Sequence, residues 1–493
     1  MTDPHVHSPG ATLVPGLEVP TELLIGGQWR PAIDRGTFEI VDPADGIPIA
    51  RVANGTVEDA LACVDAAEAA APGWAATSPR DRAEILRGAF DMLSGHEEPL
   101  AELIVRENGK AWPDAISEVR YATEFFRWFS EEAVRLTGCL MTAPSGANRI
   151  VVLRQPIGIS LLVTPWNFPA AMATRKLAPA LAAGCTTILK PASDTPLTAL
   201  AIGHLLQQAG VPAGVVNVLP SRRSAAIADA VLHDPRVRKL SFTGSTEVGR
   251  ALLRVAADNV ISCSMELGGN APVIVCADAD LDVAVAGTMV AKMRNGGEAC
   301  TAANRIYVHH SITQEFSRRL AVAMDRISVG SGLNRSVELG PLINQAALEK
   351  VDSLVGDAIT HGAHVVTGGR RLGRDGFFYP PTVLTDVPAD ARLLQEEIFG
   401  PVAPVIAFEH VEDVIAAANE TPYGLVAYVF TQDLAQGLRI SERLDTGMVG
   451  LNRGVVSDPA APFGGVKQSG LGREGAHEGI LEFTEAKYIA TLW

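Results

Sequence analysis

Short β-rich runs alternating with helix-like stretches through the middle of the chain constrain its fold more than any other feature. ISLLVTP (Ile159–Pro165), TTILKP (Thr186–Pro191), VVNVLP (Val215–Pro220) and KLSFTG (Lys239–Gly244) each precede a run of helical periodicity. Strands separated by helices do not pair as tight hairpins. They line up in parallel, and the crossover helices cover the faces of the sheet. A second series opens at PVIVC (Pro272–Cys276), continues through LDVAVAGTMVAKMRN (Leu281–Asn295) and returns to a strand at RIYVHH (Arg305–His310). The pattern predicts an α/β protein with two parallel-sheet domains in tandem. The length of 493 residues agrees, since it exceeds what one core ordinarily holds.

A formal net charge of −15 repels phosphate backbones and anionic lipid, and no dense Lys/Arg stretch overrides it. Neither nucleic acid nor a membrane surface is therefore expected as a partner. No run approaches the ~20 uninterrupted apolar residues of a bilayer span. The opening MTDPHVHSPGATLVPG has neither the basic head nor the apolar core of a secretory signal, so residues 1–17 read as a disordered leader on a cytoplasmic protein. Cys63, Cys139, Cys185, Cys263, Cys276 and Cys300 are scattered without Cys-x-x-Cys or zinc spacing, which predicts neither a disulfide framework nor a bound metal.

Gly470, Gly472 and Gly475 form a G-x-G-x-x-G, but no strand precedes them and only 18 residues follow, fewer than the ~30 of a βαβ unit. SFTGSTEVGR (Ser241–Arg250) is the stronger anion site. A strand ends there in a glycine turn at Gly244, and Ser245 or Thr246 caps the next helix, whose first amides then face an anion. An ordinary βα turn accounts for the same residues. Among the cysteines, Cys300 stands apart because Gly296 and Gly297 precede it, so the backbone can approach a substrate and the Cys300 N–H can point at an oxyanion. Cys185, Cys263 and Cys276 sit in or beside strand-like apolar runs, where a thiol is buried and inert.

TPWNFP (Thr164–Pro169), LKPAS (Leu189–Ser193), FTGSTEVG (Phe242–Gly249), MELGGN (Met265–Asn270), GGEAC (Gly296–Cys300), EEIFGPV (Glu396–Val402) and PFGGVKQSGLGREG (Pro462–Gly475) occur in the order seen in the aldehyde dehydrogenase superfamily. The chain resembles that superfamily over nearly its whole length. Within it, the runs Trp166–Cys185 and Ala461–Gly475 look most like succinate-semialdehyde dehydrogenases. The resemblance implies NADP- or NAD-dependent oxidation of an aldehyde to a carboxylic acid through a thioester on Cys300, with Asn167 as oxyanion donor and Glu266 as the base that activates water. It places Thr164, Trp166, Lys190, Ser193, Gly244, Ser245, Glu397 and Phe399 at the cofactor, and Arg175, Arg294 and Ser457 at a carboxylate of the substrate. For Trp166 and Phe399 core packing is an alternative role, and for the two arginines a structural ion pair. Ser193 stands where NAD-preferring relatives often carry a glutamate, which favours NADP.

Two departures stand out. Glu298 replaces the usual glutamine before the nucleophile, and a carboxylate that close raises a thiol pKa unless it points away. SRRS (Ser221–Ser224) replaces a glycine-rich turn and brings Arg222 and Arg223 toward the expected adenosine pocket. The resemblance divides the chain into a dinucleotide-binding domain (18–130 and 151–265), a catalytic domain (266–465) and a small β oligomerisation element (131–150 and 475–493), and implies a homodimer or homotetramer. The exposed edge of AKYIATLW (Ala486–Trp493) would serve that assembly. The alternatives are a dehydrogenase of glutarate semialdehyde or of an uncharged aliphatic aldehyde, and a catalytically silent dinucleotide-binding scaffold.

Some succinate-semialdehyde dehydrogenases carry a second cysteine two residues after the nucleophile, where this chain has Ala302. Peroxide is therefore expected to inactivate the protein by oxidising Cys300 to the sulfenic acid or beyond. Peptide mass spectrometry that found Cys300 bridged to another cysteine of the chain would contradict this.

Overall fold

The computed structural model describes residues 13–373 and 375–492. The leader expected over 1–17 falls mostly outside them. Val14 and Leu17, however, bridge to each other and are buried in the largest apolar core, so the packed chain already includes residues 13–17.

Eight strands form the first sheet, in the order Gly470–Leu471, Ser262–Glu266, Val237–Thr243, Ile159–Val163, Thr187–Lys190, Val216–Val218, Leu23–Ile25 and Gln28–Arg30. The five from Ser262–Glu266 to Val216–Val218 are mutually parallel, while the edge hairpin and Gly470–Leu471 run antiparallel. Thr187–Lys190 is buried along its whole length, as a strand covered on both faces must be. Ile159–Val163 lies at the reversal of strand order: the next strand in sequence sits on one side of it, and Val237–Thr243 on the other. A crevice opens at such a switch point, beyond the carboxyl ends of the strands. The segments leaving those two strands are Thr164–Phe168 and Gly244–Ser245. The helix Pro169–Ala183 that follows is buried at every residue; most of it is apolar, and its two buried cations, Arg175 and Lys176, are answered by Glu474.

The second sheet runs His364–Thr367, Thr382–Thr385, Val402–Phe408, Ala303–His309, Ala271–Val275, Val426–Phe430 and Met448–Leu451, parallel except for its first strand. Cys300 lies in the connection between the helix Leu281–Met293 and the strand Ala303–His309. That helix stops two residues short of the expected Asn295: Arg294 leaves the helical region with ψ of 127°, and Asn295 and Gly296 then take left-handed conformations with φ of 55° and 62°. The turn brings the chain close against its neighbours. A Cβ on Gly297 would stand 2.3 Å from the Gly400 carbonyl oxygen, so the pair of glycines is a packing requirement as well as a turn.

A three-stranded antiparallel sheet holds Thr484–Thr491, Arg149–Pro156 and Cys139–Thr142. Its middle strand crosses the boundary drawn at residue 150, and residues 131 and 132 belong instead to the helix Trp112–Glu132. Thr484–Thr491 is the outer strand and exposes Tyr488 and Ile489, while Trp493 lies outside the described residues. Gly470 also has a structural reason. A Cβ there would meet the Met265 carbonyl oxygen at 2.1 Å, so the glycine run lets an antiparallel strand lie against Ser262–Glu266.

Candidate active site

A cleft of about 380 Å³ opens where the carboxyl ends of the first sheet face the Cys300 connection. Its walls include Cys300, Glu266 and Asn167; Arg175, Arg294 and Ser457; and Trp166, Gly244, Ser245, Glu397 and Phe399. Residues more than 100 positions apart in sequence are thus brought to one cavity. Thr164, Lys190 and Ser193 are not in its wall; they lie at the carboxyl ends of the adjacent strands Ile159–Val163 and Thr187–Lys190.

Cys300 is partly exposed to the cleft, whereas Cys185 and Cys276 are buried. Burial pushes the Cys300 thiol up to about 12; Glu397 and Glu266 add to the shift, and Arg175 and Arg294 oppose it. The resting sulfur is therefore a thiol, and it must give up a proton before it attacks. Two donors stand ready for an oxyanion. The Cys300 N–H has no acceptor among the described residues. The Asn167 amide, which is buried, gives one Nδ2 hydrogen to the Glu298 carbonyl at 3.0 Å and keeps the other.

Glu298 turns its carboxyl group away from the sulfur, and Oε1 accepts the Ile343 N–H at 3.1 Å. Burial raises its pKa to about 8, so near neutral pH the group is largely an uncharged acid. In that state it resembles the glutamine it replaces, which removes the objection to a reactive Cys300.

Glu266 ends the strand Ser262–Glu266, and its Oε2 is buried without a partner. Burial, and then the neighbouring carboxylate of Glu474, raise its pKa well above that of an ordinary glutamate, against the pull of Arg175, Lys176 and Arg473. Glu474 receives Arg175 at 2.8 Å and Lys176 at 2.6 Å. Burial works to raise Glu474 as well, but these two cations outweigh it and hold it ionised. Glu266 is left as the carboxyl group of the pair that takes up a proton more readily than an ordinary glutamate.

Arg175 thus has a carboxylate partner and stacks on Phe463, 4.1 Å from the ring centre, with Nη2 left unpartnered. Arg294 differs. It forms no ion pair among the described residues; Nη1 donates to the Ser457 hydroxyl at 3.3 Å, and the guanidinium lies 5.1 Å from the Phe168 ring and 5.9 Å from that of Tyr121.

On the other side of the cleft, Ser245 caps the helix Thr246–Asp258, and the Thr246 and Glu247 amides have no acceptor among the described residues. That is the geometry of an anion site at a helix N-terminus. Glu397 accepts the Gly269 N–H at 3.2 Å, and burial raises it to about 7. Phe399 holds a left-handed φ of 57° and meets Trp166 edge-on at 5.4 Å. Both rings line the cleft, so core packing does not account for all of their surface. Lys190 is buried with its Nζ on the Pro191 carbonyl at 3.1 Å, and burial lowers it to about 8. Arg222 lies over Phe38 and Arg223 is paired with Asp34 at 2.7 Å, so both are engaged at the protein surface.

Sequence reasoning passed over Tyr121, Phe168, Phe463, Lys176 and Glu474. Phe168, Phe463, Lys176 and Glu474 stand inside runs that had been singled out, and a search for counter-charges to Arg175 would have reached Glu474. Tyr121 sits mid-helix with no local signal.

A model of the aldehyde dehydrogenase family matches residues 29–489. The chain belongs to the aldehyde dehydrogenase family. A succinate-semialdehyde dehydrogenase of Paenarthrobacter nicotinovorans is 53% identical over 441 residues, which span 90% of this chain and 98% of that protein. The NADP(+) succinate-semialdehyde dehydrogenase of Escherichia coli is 46% identical over 468 residues, 95% and 97% of the two chains. The crystal structure of a succinate-semialdehyde dehydrogenase from Burkholderia pseudomallei superposes with a TM-score of 0.95 at 44% identity, covering 96% of this chain and 98% of that one. The α/β architecture is that of the family, and the protein is an oxidoreductase.

Cys300→Ala is expected to abolish aldehyde oxidation. Glu266→Gln should still reduce cofactor in a first-turnover burst and then stall. Because the thiol and the Glu266 carboxyl must both lose protons and both are raised, wild-type turnover should keep climbing with pH above the range where an ordinary glutamate has already ionised; Glu266→Gln should lose the share that belongs to the base. Steady turnover by Cys300→Ala, or a wild-type rate flat from about pH 5 to about pH 8, would refute the assignment.

Proposed function

We propose that this protein oxidises succinate semialdehyde to succinate with NADP, using Cys300 as nucleophile, Asn167 as oxyanion donor and Glu266 as base. The observation that carries the substrate is Arg294. A half-buried guanidinium with a hydroxyl beside it and no carboxylate partner among the described residues, in the same cleft as a cysteine, is a seat for a carboxylate. In a protein of net charge −15, such a seat needs local cations to overcome the overall field. The relatives named as succinate-semialdehyde dehydrogenases favour the same substrate.

The chain's own groups account for the steps. The Cys300 thiol gives its proton to solvent in the open cleft, the sulfur adds to the aldehyde carbon, and the carbonyl oxygen becomes an oxyanion held by the Asn167 amide and the Cys300 N–H. The Thr246 and Glu247 amides, with Glu397 and Phe399 across the cleft, would hold a nicotinamide dinucleotide, which would supply the acceptor for the hydride of this carbon. The unpaired amides and the buried Glu397 suit that occupant. With the hydride gone the carbon is a thioester. Glu266 takes a proton from water, the hydroxide adds to the thioester, and the C–S bond breaks to release the acid and the thiolate. The cation of Arg294 holds the far carboxylate through both additions.

The preference for NADP rests on Ser193 and Lys190. An uncharged serine stands where a glutamate would repel a 2′-phosphate, and the nearby Lys190 has only a backbone carbonyl as its hydrogen-bond partner. Arg222 and Arg223, held by Phe38 and Asp34, are not needed for it.

The catalytic efficiency with NADP is expected to exceed that with NAD, and the reverse ranking would remove the cofactor assignment.

Arg294→Ala is expected to raise KM for succinate semialdehyde by ~10-fold or more, as when a charge-assisted hydrogen bond of ~1.5–3 kcal/mol is lost, and to change an uncharged aldehyde of similar length much less. Arg175→Ala should impair both aldehydes, because it also strips a cation from Glu474. Equal losses on both aldehydes in Arg294→Ala would pass the substrate assignment to the uncharged alternatives.

A further inference from the structure

The helix Glu97–Asn108 ends at Gly109, whose left-handed φ of 87° turns the chain inward and drives Lys110 into the protein. Three residues of this turn reach two separate loops. Glu107, fully buried, accepts the Leu197 and Thr198 N–H groups at 2.8 Å each and so caps the helix Pro196–Gln208, which follows the Lys190–Asp194 loop. Asn108 donates to the Trp166 carbonyl at 3.1 Å. Lys110 donates to the Asn167 carbonyl at 2.8 Å and forms a buried ion pair with Glu118.

Glu118 in turn accepts the Ala170 and Ala171 amides at 2.8 and 3.2 Å through Oε1. The helix Pro169–Ala183 has no cap from its own Phe168, so the carboxylate of another helix supplies it. The Lys110–Glu118 pair therefore grips the Asn167 segment on both sides: its carbonyl by the ammonium, and the helix start three residues on by the carboxylate. Asn295 adds a third hold, donating to both the Asn167 and Glu298 carbonyls at 3.0 and 2.9 Å. Each hold on the Asn167 segment is to its backbone, and the Asn167 amide, which gives one hydrogen to the Glu298 carbonyl, keeps the other for the cleft.

We propose that Lys110 and Glu118 are positioning residues that fix the Asn167 amide over Cys300, and that the Glu107–Lys110 turn ties this segment to the loop expected at the cofactor. The proposal rests on the reading of Asn167 as oxyanion donor. An oxyanion exists only after the sulfur has added, so misplacing its donor lowers kcat while leaving substrate binding nearly intact.

The test is a double-mutant cycle with whichever aldehyde the wild type oxidises best, so that a wrong substrate assignment does not affect it. Lys110→Met is expected to lower kcat about tenfold or more with KM changed less than about twofold. In an Asn167→Ala background the same substitution should cost almost nothing further, because the group it positions is gone. Lys110→Gln, which keeps a donor for the Asn167 carbonyl, should recover part of kcat, and Glu118→Gln is the second entry into the cycle if Lys110→Met does not fold. Losses that add across the cycle, or a wild-type kcat in the single variants, overturn the positioning role while leaving the oxyanion assignment intact. A wild-type kcat in Asn167→Ala alone overturns both.

Discussion

Charge removed from water must be answered by other charge, and this site is built around that requirement. Lys110, Glu118, Arg175, Lys176 and Glu474 are all buried, and each has an opposite partner within ion-pair distance. Leaving one member unpaired costs about 3–5 kcal/mol, so the pairs cannot drift apart without a large penalty. Both sets act on one helix. Lys110 and Glu118 hold the start of Pro169–Ala183, while Arg175 and Lys176, one to two turns further along it, reach Glu474 near the chain's end. The Asn167 segment is thereby fixed relative to Glu266, whose strand pairs with Gly470–Leu471 just before Glu474.

The two arginines of the cleft divide along the same line. Arg175 is part of the scaffold of charge, and its field also bears on Glu266 and Cys300. Arg294 forms no ion pair with a carboxylate of the described residues; the field of the Asp114 carboxyl, whose pKa burial raises, reaches it without contact. Aromatic rings at Phe168 and Tyr121 hold its guanidinium, which satisfies its shape but not its charge. The cation without an ion-pair partner among the described residues is the one more open to a ligand, which is why the substrate reading depends on Arg294 more than on Arg175.

How much of this was legible follows from which interactions are local. The strands Ile159–Val163, Thr187–Lys190 and Val237–Thr243 were readable because a parallel strand covered on both faces must be an apolar run, and the helix after each one announces the crossover. Cys300 was singled out by the glycines before it, whereas Glu266 and Asn167 were reached through the resemblance of MELGGN and TPWNFP to the aldehyde dehydrogenase superfamily; the fold brings all three to one cleft. The end of the helix at Met293 was missed, since Asn295 is permitted in a helix and only its tertiary contacts turn it left-handed. Lys110 and Glu118 were missed for a related reason. In sequence they are two charges on a polar stretch, and nothing local says that the fold will bury both against a loop more than 45 residues away.

Glu298 illustrates the same limit from the opposite direction. Read as a letter, it is a negative charge two residues from a nucleophile that needs to ionise. In place, burial raises it to about 8, its Oε1 takes the Ile343 N–H, and only its backbone carbonyl meets Asn167. A carboxylic acid kept protonated by an apolar setting has nearly the shape and charge of an amide, so the substitution of glutamate for glutamine changes little while the site stays dry. The difference lies in the pH response. Glutamine is neutral at every pH, whereas Glu298 gains its charge as pH rises through about 8. The alkaline side of the chain's activity is therefore where this residue, silent at neutral pH, would bear on the nucleophile.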